Sequence, residues 1–197
     1  MREPDWKSYI VAEPEPILSP QQCQELIRLG QAEPQSDGAI MVAGHPAKKD
    51  YTARKNKVSH IPFDKAPKIY SDLLGWMQLV NRNRFGFEGM EMHEAGQYSE
   101  YSKGDFYNWH IDSDVEMTNM PPVRKISMTL LLNDPKDFEG GELEIYCGNT
   151  LHSEQNKFKL KQGYAVFFAS FLLHRVMPVI KGNRKSLVMW FGGSPLR

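Results

Sequence analysis

The amino-acid sequence predicts a mainly β domain, a sandwich or jelly-roll barrel, with two α-helices packed outside it. Three observations support this class. From about residue 90 onward, short apolar segments alternate with turn signals, whereas both helix-like segments come earlier, and no repeat or linker interrupts the chain. Many short strands at close spacing are typical of antiparallel sandwiches and barrels.

Two segments in the first half carry helix signals. Ser19 followed by Pro20 is a typical start, because serine is a favoured N-cap and proline a favoured first helical residue. Apolar residues then recur at helical spacing, and Gly30 is the expected end of this helix. A second apolar stripe predicts a helix over residues 66–80.

Six strands are expected in the second half, separated by residues that favour turns. Their predicted ranges are 91–101, 107–111, 125–132, 142–146, 165–168 and 185–191. A short strand is also expected at 9–11, whereas the polar residues 35–56 are expected to form loops. We therefore expect one domain over residues 1–197, with a helical support region and a loop at 1–89 and a β core at 90–197.

The composition excludes several classes of protein. The 24 basic and 24 acidic side chains cancel, so no net charge favours nucleic acid or an acidic membrane surface. Two cysteines are too few for a disulfide framework, which fits a reducing cytoplasm. The first residues lack a signal-peptide core, and the apolar run 165–173 is far shorter than the roughly 20 residues of a spanning helix. The sequence thus predicts a cytoplasmic protein with no membrane or nucleic-acid partner. The basic run 54–57 is expected to be a solvated loop.

His110 and Asp112 form a His-x-Asp pair at the end of the strand predicted at 107–111. Side chains two residues apart on a strand point to the same face, roughly 6.6 Å apart, so both can reach one ion. Ile111 is then expected to face the core. Asp114 is the poorer carboxylate, because it would lie roughly 13 Å from His110 along the strand. Alone, such a pair is more often a hydrogen-bonded surface pair than a metal site.

His174 is the third candidate ligand. It lies between an apolar segment and a Val-Met-Pro run, where a buried imidazole is costly unless its nitrogens are bonded. Two imidazoles and one carboxylate form the facial triad of non-haem Fe(II) oxygenases, which leaves coordination positions open. Ten residues later, Arg184 could hold a carboxylate in a bidentate fork, and Ser186 on the same face could donate a further hydrogen bond. Taken alone, Arg184 would be interpreted as a solvated turn residue.

Four ordered motifs resemble the 2-oxoglutarate and Fe(II)-dependent dioxygenases of the prolyl 4-hydroxylase-like superfamily, and most closely its bacterial and viral hydroxylase-like branch. They cover residues 101–112, 124–133, 138–143 and, as the last motif, 168–179 with 182–184. The resemblance extends from about residue 92 to residue 193, with a weaker similarity in the helix after Ser19. It implies a double-stranded β-helix, or jelly roll, with flanking N-terminal α-helices.

The resemblance also implies the site. Iron would be held by His110, Asp112 and His174, and Arg184 would bind the far carboxylate of 2-oxoglutarate. Tyr101 occupies the position of a tyrosine that commonly lines the cosubstrate pocket. Two further positions concern this pocket: Trp190 lies on a bordering strand, and Leu131 stands where some members carry a second tyrosine.

The implied reaction hydroxylates a substrate C–H bond while 2-oxoglutarate is decarboxylated to succinate and CO2. Fe(II), 2-oxoglutarate and O2 are the expected cofactors and cosubstrates, with ascorbate (vitamin C) as a further cofactor. The presence of Asp112 favours hydroxylation, since related halogenases have a small residue there. The expected substrate is a prolyl or other residue of a protein or peptide. The alternatives are a free small molecule, a nucleobase, or a metal-binding module without catalysis.

Two polar loops, 44–56 and 113–123, are expected to form a lid over this site. The remaining histidines are expected to be non-catalytic, since histidine is also a common surface residue. These are His45, His60, His93 and His152.

Overall fold

The computed structural model describes residues 8–42, 45–113, 122–148 and 156–194 of the 197-residue chain. Antiparallel strands dominate these residues and form two main sheets and two short additional pairs. The prediction of a mainly β jelly roll with N-terminal flanking helices is confirmed. Among the helices of these ranges, none is long and apolar enough to cross a bilayer.

Two α-helices, α1 (Pro20–Ala32) and α2 (Pro67–Val80), pack against one face of the larger sheet. The start of α1 agrees with the prediction: the hydroxyl of Ser19 accepts a hydrogen bond from the amide of Gln22. The side chain of Gln22 accepts in return from the amide of Ser19, which completes a capping box. The bounds of α2 also agree with the predicted range, and its apolar side is buried in the same core as that of α1.

Gly30 does not end α1, contrary to the prediction. The helix continues for two more residues, and Glu33 caps it. A Cβ atom at Gly30 would lie 2.3 Å from the ring of Tyr98, which is fully buried on a strand below the helix. Glycine at this position therefore permits a close approach of the helix to the sheet.

Seven antiparallel strands form the larger sheet. In spatial order they are β1 (Ile10–Ala12), β13 (Ala165–Ala169), β9 (Val123–Leu131), β16 (Arg184–Gly193), β7 (Gly96–Tyr101), β6 (Lys57–Ile61) and β2 (Ser36–Asp37). Alternation along β9 separates its two faces. Ile126 and Met128 are buried beneath the helices, whereas Ser127 and Thr129 face the interior between the sheets. The larger sheet thus offers polar side chains to the interior of the jelly roll.

Five antiparallel strands form the smaller sheet. In spatial order they are β12 (Lys157–Phe158), β11 (Leu143–Ile145), β14 (His174–Val176), β8 (Phe106–His110) and β5 (Arg54–Lys55). Two further pairs are β3 (Ile40–Val42) with β4 (His45–Lys48), and β10 (Phe138–Gly140) with β15 (Val179–Gly182). An apolar cluster of residues from β11 and β13 joins the two sheets.

The structure corrects several strand predictions. The strand predicted at 91–101 begins only at Gly96, and that at 142–146 is limited to β11. Residues 35–56, predicted as loops, contain the four short strands β2 to β5. The strands β6, β10, β12, β14 and β15 were not predicted. These strands are too short for a clear alternating pattern, and they depend on partners distant in sequence. The other predicted strands lie within two residues of the observed ones.

Strands from both sides of residue 89 share the larger sheet, since β1, β2 and β6 precede it. The N-terminal region therefore contributes edge and interior strands as well as helices. The division into a support region at 1–89 and a core at 90–197 stays a prediction.

Candidate active site

Three side chains that can bind a metal meet where the smaller sheet faces the larger one. His110 is the last residue of β8, and His174, the first of β14, is its direct partner across the ladder. Asp112 follows β8 by two residues. One potential ligand atom from each residue lies within 4.8 Å of the others, the only such group of three found among the described residues. The predicted set of ligands is therefore assembled from two adjacent strands and the bend after one of them.

His110 and Asp112 converge as predicted, but the predicted cause, alternation along one strand, is wrong. β8 ends at His110, and Asp112 lies in a bend, so strand alternation does not place its side chain. Ile111, predicted to face the core, is 37% exposed. Asp114, the rejected carboxylate, lies outside the described residues.

Hydrogen bonds orient both imidazoles. Nδ1 of His110 lies 2.8 Å from the carbonyl oxygen of Asn108, and Nδ1 of His174 lies 2.9 Å from that of Leu172. Because a carbonyl only accepts, each Nδ1 carries the proton, and in the neutral imidazole this leaves the lone pair on Nε2. Both Nε2 atoms then face Asp112, at 3.7 Å from Oδ1 for His110 and 3.4 Å from Oδ2 for His174. Metal-binding histidines are commonly fixed by bonds of this kind.

The charge states of these groups suit a metal. Burial, and to a smaller extent the neighbouring His174, lower the pKa of His110 to about 3. Burial alone would raise the pKa of Asp112, but His174 and a hydrogen bond from Ser127 hold it well below its usual range. A neutral imidazole and an ionised carboxylate are the forms that bind metal. Two ligands that each lie roughly 2.1 Å from an ion are roughly 3–4 Å apart, which matches the two separations above. The residues therefore fit a divalent metal ion.

Arg184 begins β16 and is only 3% exposed. Its guanidinium donates to the hydroxyl of Ser186 at 2.9 Å and lies 5.6 Å from the ring centre of Tyr101. Burial lowers its pKa from the ordinary value, but an arginine remains charged in proteins. No carboxylate in the described ranges forms a salt bridge with it. An uncompensated buried cation is costly, so an anion is its expected partner.

Two cavities share this region. A cleft of about 450 Å³ is lined by the three metal-binding candidates together with Tyr101 and Trp190. A second cavity of about 290 Å³ is lined by Arg184 and Leu131. Leu143 lines both cavities, and Tyr101 links them on the other side through its contact with Arg184. Ser186 is buried beneath Arg184 and lines neither.

Several cleft residues were missed by the sequence analysis. Arg54, assigned to a solvated loop, is 7% exposed, and its guanidinium lies 4.4 Å from the ring centre of Tyr107. Arg124 lies 3.9 Å from the ring centre of Trp190 and forms a two-pronged ion pair with Glu94. Neither arginine has a local sequence pattern that indicates a cleft, so only the sheet pairing reveals that they line one.

The other predictions for this region have mixed outcomes. Residues 45–56 of the first predicted lid contain β4 and β5, whereas residues 114–121 of the second lie outside the described part of the chain. His60 lines the cleft, and Nε2 of His93 lies 3.4 Å from a carboxylate oxygen of Glu91. His152 and the side chain of His45 are not described. The non-catalytic role of these histidines stays a prediction.

A jelly roll with a His-x-Asp and distant His triad beside a buried arginine defines the class of non-haem iron, 2-oxoglutarate-binding proteins. Residues 96–192 match the family model of the 2OG-Fe(II) oxygenase superfamily, and the chain belongs to this superfamily.

Curated relatives carry the name PKHD-type hydroxylase. That of Prochlorococcus marinus is 31% identical over 158 residues, which cover 78% of this chain and 64% of the relative. That of Colwellia psychrerythraea is 43% identical over 93 residues, or 47% of this chain and 40% of the relative. That of Alteromonas mediterranea is 38% identical over 96 residues, or 47% and 41%. The chain spans less than two thirds of the length of each of these relatives.

Solved structures support the fold over nearly the whole chain. A prolyl-4-hydroxylase of Pseudomonas putida superposes with a TM-score of 0.68 at 20% identity, covering 94% of this chain and 93% of the other. A Trichoplax adhaerens prolyl hydroxylase, in complex with a peptide fragment of hypoxia inducible factor, superposes with a TM-score of 0.69 at 20% identity, covering 94% and 84%. At this identity the similarity establishes the fold.

Proposed function

We propose that this protein is an Fe(II) and 2-oxoglutarate-dependent dioxygenase that hydroxylates a C–H bond in a protein or peptide, with a prolyl residue as the first candidate. The observation that carries the proposal is the convergence of His110, Asp112 and His174 in a cleft beside the buried Arg184. A metal triad alone would fit many reactions. The additional buried cation favours a cosubstrate with two carboxylates, because one of them can bind the metal and the other the arginine.

The three ligands would hold Fe(II) through the two Nε2 atoms and a carboxylate oxygen. When bound, the metal supplies the activation of O2 that couples decarboxylation of 2-oxoglutarate, to succinate and CO2, to hydroxylation of the substrate. The protein keeps the imidazole of His110 neutral and orients both imidazoles. Tyr107 stacks on His110 with ring centres 3.5 Å apart, and Phe168 packs edge-on against His174 at 4.6 Å. These rings restrict rotation of the imidazoles and limit the access of water.

Arg184 would bind the carboxylate of 2-oxoglutarate that is remote from the metal. Its burial strengthens the ion pair, since a low local dielectric increases the attraction between opposite charges. Ser186 accepts a hydrogen bond from one nitrogen of the guanidinium, and the other N–H groups remain available to the carboxylate of the cosubstrate. Leu131 lines the same cavity and offers no hydrogen bond. Recognition at this end would therefore depend on the arginine more than on a second polar group.

A peptide substrate is favoured by the form and lining of the cleft. The cleft extends past the triad to aromatic side chains and to two arginines, which could contact a peptide on either side of the reacting residue. The Trichoplax neighbour holds a peptide. Choice of a prolyl residue, a requirement for ascorbate and a cytoplasmic location stay predictions.

The test is a turnover assay with Fe(II), 2-oxoglutarate and O2, in which succinate is measured with and without proline-containing peptides. We expect peptide-dependent succinate and a mass increase of about 16 Da, one oxygen atom, on the peptide. His174→Ala, which removes one ligand, serves as the inactive control. Absence of both metal and 2-oxoglutarate binding by the wild-type protein would refute the proposal. A 16 Da increase confined to metabolites or nucleotides would instead assign a small-molecule substrate.

A further inference from the structure

Asp112 needs an anchor other than a strand. It lies beyond the end of β8, where the ladder that holds His110 no longer fixes the backbone. The anchor is the carbonyl oxygen of Ser170, which accepts hydrogen bonds from the amides of Asp112 and Ser113 at 2.9 and 3.0 Å. Ser170 lies directly after β13 in the larger sheet. The backbone of the carboxylate ligand is therefore held by the sheet opposite to the two histidines.

A chain of two hydroxyls holds the carboxylate itself. The hydroxyl of Ser127 lies 2.7 Å from Oδ2 of Asp112, and the hydroxyl of Ser170 lies 2.9 Å from that of Ser127. An ionised carboxylate only accepts hydrogen bonds, so Ser127 donates to Asp112. The oxygen of Ser127 is then free to accept from Ser170. The direction of both bonds follows from the charge of Asp112.

Both serines are held firmly. Ser127 and Ser170 are fully buried, so water does not compete for their hydroxyls. Ser127 lies within β9, where its Cα partner is Phe168 of β13. The amide of Ser170 donates to the carbonyl oxygen of Lys125, also on β9, at 2.9 Å. The hydroxyl chain thus starts from a rigid part of the larger sheet.

The two oxygens of Asp112 differ in their surroundings. Oδ2 accepts the bond from Ser127 and lies 3.4 Å from Nε2 of His174, whereas Oδ1 has no hydrogen-bond donor among the described residues and lies 3.7 Å from Nε2 of His110. We propose that Ser127 and Ser170 are positioning residues: their hydroxyl chain fixes the carboxylate of Asp112 for the metal and leaves Oδ1 without a competing protein donor. This inference rests on the metal site of the proposed function.

The arrangement predicts a graded effect of substitutions on metal affinity. Ser127→Ala removes the one hydroxyl that, among the described residues, donates to the carboxylate, and loss of such outer hydrogen bonds typically weakens metal binding 10–100-fold. Ser170→Ala removes a hydroxyl one step further away and keeps the backbone carbonyl bonds, so its effect should be several-fold smaller. Ser127→Thr keeps the donor and should restore most of the affinity. A merely structural role would not produce this order.

The experiment is calorimetric titration of Mn(II), a redox-stable substitute for Fe(II), into the metal-free full-length protein without 2-oxoglutarate. Ser59→Ala is the matched control, because Ser59 is also a buried serine of the larger sheet, and its hydroxyl donates to the carbonyl oxygen of Gly30 instead. We expect wild type and Ser59→Ala to bind alike and Ser127→Ala to bind 10–100-fold more weakly. Thermal unfolding checks that every variant is folded.

Two outcomes would overturn the inference separately from the function. If wild type binds Mn(II) and folded Ser127→Ala binds it with the same affinity, the serines do not position the ligand. The same conclusion follows if Ser59→Ala weakens binding as much as Ser127→Ala does. If wild type itself binds no metal, the proposed function fails, and this inference fails with it.

Discussion

Arg184 is a buried cation that donates to a hydroxyl and lies beside an aromatic ring, and among the described residues Glu142 influences its charge without forming a salt bridge with it. Such a group is stable only if its charge meets an opposite one, because removal of an unpaired ion from water is costly. The same burial makes the site selective for anions, since the low dielectric strengthens the attraction between the guanidinium and a negatively charged group. The residue is thus suited to a ligand that carries its own negative charge into the interior.

Replacement of this arginine should separate the two binding events. We expect Arg184→Ala to retain Mn(II) affinity and to weaken 2-oxoglutarate binding by about 30-fold or more, because truncation of one partner in a buried charge pair costs about 2–5 kcal/mol. Calorimetric titration of the Mn(II)-loaded protein measures both. Lys181→Ala, which removes an exposed cation of the neighbouring β15, is the control and should bind normally. Equal loss of metal in Arg184→Ala would contradict this division of roles.

At the scale of residues, the sequence predicted which side chains come together better than it predicted how they are held in place. His110, Asp112 and His174 do lie together, and Arg184 is buried near them. Local alternation could not show that Asp112 leaves the strand, because the group that holds it, Ser170, lies 58 residues later in the chain (170 − 112). The hydroxyl of Ser127 was missed for a similar reason: a serine within an apolar strand gives no local signal.

The turn between β10 and β11 shows how a short element can shape a binding site. Gly141 has a φ of +68°, a backbone conformation that residues with a side chain rarely adopt. A Cβ atom there would lie 2.9 Å from Cδ of Arg184. A glycine at this point lets the turn pass directly over the arginine stem. The turn and the cation are therefore one structural unit, although they belong to different strands.

Substitution of this glycine tests the unit. Gly141→Ala should lower stability by about 1–3 kcal/mol through backbone strain and also weaken 2-oxoglutarate binding, because the added methyl displaces the stem of Arg184. Gly104→Ala is the matched control: its φ is +84°, but nothing lies within 4 Å of the added Cβ. Gly104→Ala should lose stability alone. Chemical denaturation and 2-oxoglutarate titration distinguish the two effects, and equal cosubstrate affinity in both variants would rule out the displacement.

Elements with their own local signals were predictable, and elements defined by a partner were not. The helix start at Ser19 and the long alternating strand β9 each have a recognisable local pattern in the sequence. Gly30 was misread as a helix end because its role is to accommodate Tyr98 from another element. β14, which carries His174, has only three residues and forms because β8 and β11 flank it.

In the whole molecule, the candidate site joins the two sheets. The histidines extend from the smaller sheet, whereas the groups that hold Asp112 belong to the larger one. An ion bound to all three ligands would cross-link the sheets, in addition to the apolar cluster between β11 and β13. Binding at the site and stability of the fold should therefore be coupled.

Thermal unfolding provides the measure of this coupling. A ligand at 100 times its dissociation constant stabilises the folded state by about 2.7 kcal/mol, which corresponds to a rise in Tm of about 5–10 °C for a domain of this size. We expect such a rise with Mn(II) for the wild type, and a further rise when 2-oxoglutarate is added. His174→Ala should lose both increments, since a triad reduced to two ligands no longer holds the ion that the cosubstrate chelates. Arg184→Ala should keep the first increment and lose most of the second. A Tm that rises equally in His174→Ala would place the metal elsewhere and contradict the coupling of the two sheets through this site.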